Sequence, residues 1–152
     1  MEQVSDWLNN INAWYGDKHR EYATLASLIN KPPADLFSPP YSQDKSDALA
    51  YFFDGCSMLH RHEKALIHTD SAYSYLHYGY AKLQHLATQT DSDLDVRRWS
   101  IKRLERAIVT MMEFCQEQKS DEWLRESETL VELHISFMLA QSDVNMNRTT
   151  VL

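Results

Sequence analysis

Cys56, His60 and Glu63 stand four and three residues apart in the run CSMLHRHE, so on a helix they share one side. A thiol, an imidazole and a carboxylate in that order are side chains that hold a transition metal or relay a proton. The row falls inside an apolar arc formed by Leu49, Phe52, Phe53 and Leu59, where a carboxylate without a partner is costly. His134 has a similar place, in the middle of the apolar side of a later segment, and would complete a site with His60 and Glu63 if the two segments are neighbours. The surrounding chemistry argues against a metal. A di-iron bundle uses two Glu-x-x-His units, and the chain has neither these nor a His-x-x-x-His pair. The plainer reading is a core histidine bonded to a backbone group and a Glu63 that reaches water near Arg61. On that reading there is no metal, no other cofactor and no assigned catalytic residue.

A second constellation lies in SAYSYLHYGYAKLQHLA, residues 71–87. Ala72, Tyr75, Leu76, Gly79, Leu83 and Leu86 recur at three- and four-residue steps and read as a core face. Beside them Tyr73, His77, Tyr80 and Gln84 follow i, i+4, i+7 and i+11, with Tyr78 and His85 further round. That row is richer in rings than a solvated face needs, and rigid amphipathic rings are typical of contact surfaces. It is expected to meet a partner protein, or else the N-terminal segment or the Pro-rich strap of the same chain. In either case it is a contact surface and not a catalytic centre.

A third group is basic. Arg97, Arg98, Lys102, Arg103 and Arg106 lie opposite Ile101, Leu104 and Ile108, with Trp99 among them. A basic helix with an exposed Trp suits nucleic acid or an acidic partner. The whole-chain balance points the other way, because a net charge of −7 and a pI near 5.4 oppose phosphate neutralisation. A solvated face paired with Glu105, Glu126 or Glu128 is the simpler expectation. No Gly-rich phosphate loop or dinucleotide fingerprint occurs, and three well-separated Gly exclude both.

These groups need elements to position them. The 152 residues are 43% hydrophobic and 24% charged, ordinary for one globular domain. All four Pro fall between Pro32 and Pro40, and little else punctuates the chain, so it reads as all-α with long helices. Residues 1–30 form a helix or helical hairpin. Val4, Ile11, Lys18 and Leu25, and likewise Leu8, Tyr15, Tyr22 and Ile29, are seven apart, so one long helix fits as well as a pair broken at Gly16-Asp17. Residues 31–45 form a Pro-rich strap packed by Leu36, Phe37 and Tyr41.

The main body, residues 46–141, holds four antiparallel helices joined by short turns. The first is capped at Ser46 or Asp47 and carries Leu49 to Ile67 inward. The second starts at Asp70 or Ser71. Asp91, Asp93 and Asp95 open the third. Ser120-Asp121 caps the last, which turns Trp123, Leu124, Leu130, Val131, His134, Phe137 and Met138 inward. Residues 142–152 form a flexible tail. The expected architecture is an antiparallel bundle of five to six helices.

Cys56 and Cys115 make neither a metal knuckle nor a disulfide framework, and the first ten residues lack a basic start followed by an apolar run, so a cytoplasmic setting is expected. No apolar stretch approaches the ~20 residues that cross a bilayer. Together these features predict a non-enzymatic, adaptor-like interaction or regulatory domain. It would bind a protein through the Tyr73–Gln84 row and dimerise through the heptad-phased N-terminal hairpin. The alternatives are a metal-dependent enzyme or sensor at His60, Glu63 and His134, and a transcription-related regulator using Arg97 to Arg106.

Overall fold

The computed structural model describes residues 3–89 and 94–150, with side chains as far as Ser142. Among the described residues there are six α-helices and no strand: α1 (Val4–Gly16), α2 (Tyr22–Asn30), α3 (Gln43–Ala65), α4 (Thr69–Thr88), α5 (Leu94–Glu117) and α6 (Asp121–Thr150). None of them is long and apolar enough to cross a membrane.

The N-terminal segment is two helices, not one. Val4, Trp7, Leu8, Ile11 and Trp14 are buried along α1, and Leu25 and Ile29 along α2. Side chains fix the reversal between them. Asp17 accepts the His19 N–H, the Trp14 indole N–H donates to the Glu21 carbonyl at 2.7 Å, and the Trp7 indole donates to Leu28 at 2.9 Å. Both helices pack on α3. Of the two heptad-spaced rows, Val4, Leu8, Ile11, Leu25 and Ile29 are buried within the chain, Tyr15 and Tyr22 are half-buried, and Lys18 is exposed.

The strap is packed, as its aromatic residues predict. Leu36 and Phe37 are buried, and Phe37 meets Phe52 of α3 edge-on with centroids 5.0 Å apart. Lys45 clamps it from the helix side by donating to the Ser38 carbonyl at 2.8 Å, and Tyr41 donates to Gln89 beyond α4. Helix α3 begins earlier than expected because Ser42, not Ser46 or Asp47, receives the Lys45 N–H. No breaker lies between Ser42 and Ser46, so the helix extends back to the first residue able to cap it.

Helix α3 ends in a Schellman motif: the Ile67 N–H bonds the Lys64 carbonyl, and the His68 N–H bonds that of Glu63. The chain re-enters a helix at Thr69, ahead of the expected Asp70 or Ser71 caps. Leu66 and Ile67 lie at the tip of this turn, 51% and 83% exposed, so the inner face of α3 stops at His60. Asp95 lies in the first turn of α5, whereas Asp91 and Asp93 fall outside the described residues. The Ser120 cap of α6 forms as expected, its hydroxyl receiving the Trp123 N–H. Helix α6 then continues through Thr150, beyond the Gln141 boundary read from the sequence.

Packing is sequential: α1 and α2 lie on α3, α3 on α4, α4 on α5, and α5 on α6. Large side chains fill the gaps between alternate helices. Phe53 of α3 reaches Trp99 of α5, His60 reaches Phe114, and Tyr73 of α4 reaches Trp123 of α6. Among the described residues no substantial packing joins α6 back to α1, α2 or α3, so the array is open. One end presents α1, whose outward residues Asn9, Asn10, Asn12 and Ala13 are polar or small. The other end presents α6.

Candidate functional site

The Tyr73, His77, Tyr80, Gln84 row faces α5 and α6 and is mostly an intramolecular seam. Tyr80 is buried, and its hydroxyl lies 2.7 Å from His134 Nδ1. Burial pushes the His134 pKa down, which favours the neutral imidazole in its hydrogen bond with the phenol. Tyr73 is half-buried, stacked on Phe114 and edge-on to Trp123 at 5.1 Å. Burial first and Glu126 second raise its pKa, which keeps the phenol protonated.

Tyr78 turns the other way, and its hydroxyl donates to the Ile29 carbonyl at the end of α2. Gln84 is half-buried beside Tyr80. Only His77 and His85 of the six are exposed, and His85 contacts Gln89. The expectation that these rings form an open docking stripe is corrected by their geometry. Rings on two faces of α4 are needed because the helix is covered from several sides.

The metal candidates do not meet. His60 donates from Nδ1 to the Ala72 carbonyl at 2.8 Å, and its pKa is lowered by burial. Glu63 pairs with His68 at 2.6 Å on the outside of the α3–α4 turn. His134 is held by Tyr80 on the far side of α4. Among the described residues no group of three His, Cys, Asp or Glu could hold a metal ion.

The basic face divides as well. Arg97 is buried and donates from Nε to the Ala87 carbonyl at the end of α4. Trp99 is half-buried against Phe53. Arg103 lies over the Trp99 ring at 4.9 Å and the Phe53 ring at 5.7 Å. Arg98, Lys102 and Arg106 remain exposed.

Among the described residues, four of the exposed large apolar side chains lie on α6. Leu124, Leu133, Ile135 and Leu139 are 43%, 62%, 52% and 61% exposed. Leu124, Val131, Ile135 and Leu139 follow i, i+7, i+11 and i+15, so they form one stripe along the helix. This stripe runs beside the face that Trp123, Leu130 and His134 turn towards α4 and α5. Leu124 therefore points outward, contrary to the sequence-based expectation. Glu128 and Glu132 are exposed within or next to the stripe.

No family model, characterised protein or solved structure matches the chain.

The sequence did carry a signal for this face. From Trp123 to Leu139 the apolar residues span more of the helix circumference than one neighbour can cover. With every apolar position assigned inward, the stripe merged with the core face.

Proposed function

We propose that the protein is a non-enzymatic, adaptor-like helical module that pairs with a second copy of itself through the outer stripe of α6. The observation that carries this reading is the row Leu124, Val131, Ile135 and Leu139 on the last helix of an open array. A row of exposed apolar side chains along one helix face is a candidate association surface. The choice of occupant follows from the opposite end. The outer side of α1 is polar, so head-to-tail stacking would bury the stripe against asparagines. A two-fold pairing of α6 with α6 matches apolar to apolar and closes without propagating. Two buried free thiols, Cys56 and Cys115, support a reducing, cytoplasmic setting.

Each copy carries a net charge of −7, and Glu128 and Glu132 flank the stripe. Like-charged copies repel, so screening by salt should tighten the dimer. Size-exclusion chromatography with light scattering, at about tens of micromolar, is expected to give the mass of two chains. The double variant Ile135→Glu/Leu139→Glu should give one chain with unchanged helical content and a melting temperature that no longer depends on protein concentration. A wild-type monomer under those conditions would remove the proposal.

A further inference from the structure

A cleft of about 180 Å³ opens between α3 and α5, with α4 as its floor. The two walls touch at Phe53–Trp99 and again at His60–Phe114, and they part in between. The lining is apolar at depth, with Phe53, Leu76 and Leu83, and Gly79 leaves part of the floor without a side chain. Arg103 and Arg106 stand on the α5 wall, one helical turn apart on the same side. Neither guanidinium has a carboxylate within salt-bridge distance among the described residues, although the charge of Asp54 is felt at Arg103.

We infer that this cleft binds an organic carboxylate with a small apolar body. The volume slightly exceeds the ~150 Å³ of an apolar cavity that accepts a benzene-sized guest. The aryl or short alkyl group would rest over Gly79 and Leu83, and the carboxylate would meet the two guanidiniums at the rim. Arg103 is pre-positioned by its stacking on Trp99 and Phe53, so little side-chain freedom is lost on binding. Burial and the neighbouring charge of Arg106 both disfavour the Arg103 cation, and an anion between the two would relieve that repulsion. A carboxylate with an apolar body fits better than a naked anion because Phe53, Leu76, Leu83 and Ala107 line the cleft beside the two guanidiniums.

Such a carboxylate has two sources, a free acid or the C-terminal residue of a peptide, and the choice of probes separates them. Amide chemical shifts of the full chain are followed during titration with 3-phenylpropionate, its neutral amide, inorganic phosphate, and the dipeptide Gly-Phe with its carboxylate free or amidated. The expected result is saturable shifts at Gly79, Leu83 and Arg103, with none on the outer face of α6. The neutral amide should bind about tenfold more weakly or worse, and Arg106→Gln should weaken the acid about tenfold, since each loses a charge-assisted contact. Tighter binding of free Gly-Phe assigns the cleft to a chain terminus, whereas tighter binding of the acid assigns it to a small molecule. Either outcome supports a carboxylate site. Equal binding of acid and amide, displacement by phosphate at equal concentration, or no shifts up to about 10 mM would overturn it. Arg106 is exposed, so its substitution leaves the fold intact and the test valid.

Discussion

Ile67 holds a backbone conformation that side chains branched at Cβ rarely adopt, with φ at 61°, and it does so while 83% exposed. The position is the left-handed residue of the Schellman motif closing α3, where glycine is the usual occupant. The side chain recovers almost nothing by burial, so Ile67→Gly is expected to raise stability by about 1 kcal/mol in urea titration, even after the extra freedom of the unfolded chain is counted. Two glycines make the opposite pair. A Cβ at Gly55 would lie 2.4 Å from Ile29 Cδ1, so Gly55→Ala should cost about 1–3 kcal/mol by overpacking α2 against α3. A Cβ at Gly79 would meet Cys56 at 3.7 Å, an ordinary contact, and Gly79→Ala should gain up to about 1 kcal/mol of helix propensity. Denaturation midpoints of the two variants should shift in opposite directions. At this scale the sequence reveals caps well when a Ser precedes a clean apolar run, as at Ser120. It misplaces them where the helix can reach back to an earlier cap, as at Ser42. A left-handed Ile is invisible in a pattern that equates apolar with inward.

Between helices, the rings of α4 work as fasteners. Tyr73→Ala and Tyr80→Ala are each expected to cost roughly 3 kcal/mol, as for other large ring deletions in packed surroundings, and to lower the melting temperature visibly. A surface role would leave it unchanged. The histidines on either side of α4 give the fold a pH dependence with a definite sign. Burial lowers the folded pKa of His60 and of His134 below the unfolded value near 6.5, so the native state binds fewer protons there. Their contribution is complete above about pH 6.5 and is lost as pH falls through the folded values. Melting temperature should therefore drop between about pH 7 and pH 5, and a His60→Gln/His134→Gln variant should show a smaller drop. Helix existence and approximate extent were legible, because apolar periodicity and the single Pro-rich interval mark them. Which neighbour each face meets was not, since a row such as Tyr73, His77, Tyr80 and Gln84 has the same spacing whether it faces solvent, a partner or α6. Only the positions of Trp123 and His134 across the gap decide that.

For the whole molecule, the important feature is that the array has two unlike ends. Heptad spacing in the first thirty residues suggests a seam for a second copy; in the fold α1 and α2 pack most of those apolar residues on α3, and α1 turns asparagines outward. The apolar excess lies instead at the other end, where α6 has α5 and the side chains of α4 on one side and no helix among the described residues on the other. An all-α class follows from composition and periodicity, whereas openness depends on which helices fail to meet, and that is a property of tertiary packing alone. The central claim is that two copies meet through this outer stripe. Isotope-filtered NOE spectroscopy on a mixture of labelled and unlabelled protein tests it most directly. Cross-peaks between the methyl groups of Ile135, Leu139 and Leu124 on one copy and those of the other are the predicted result. Cross-peaks arising from α1 or α2 in their place, or none at a concentration where the mass is that of a single chain, would contradict it.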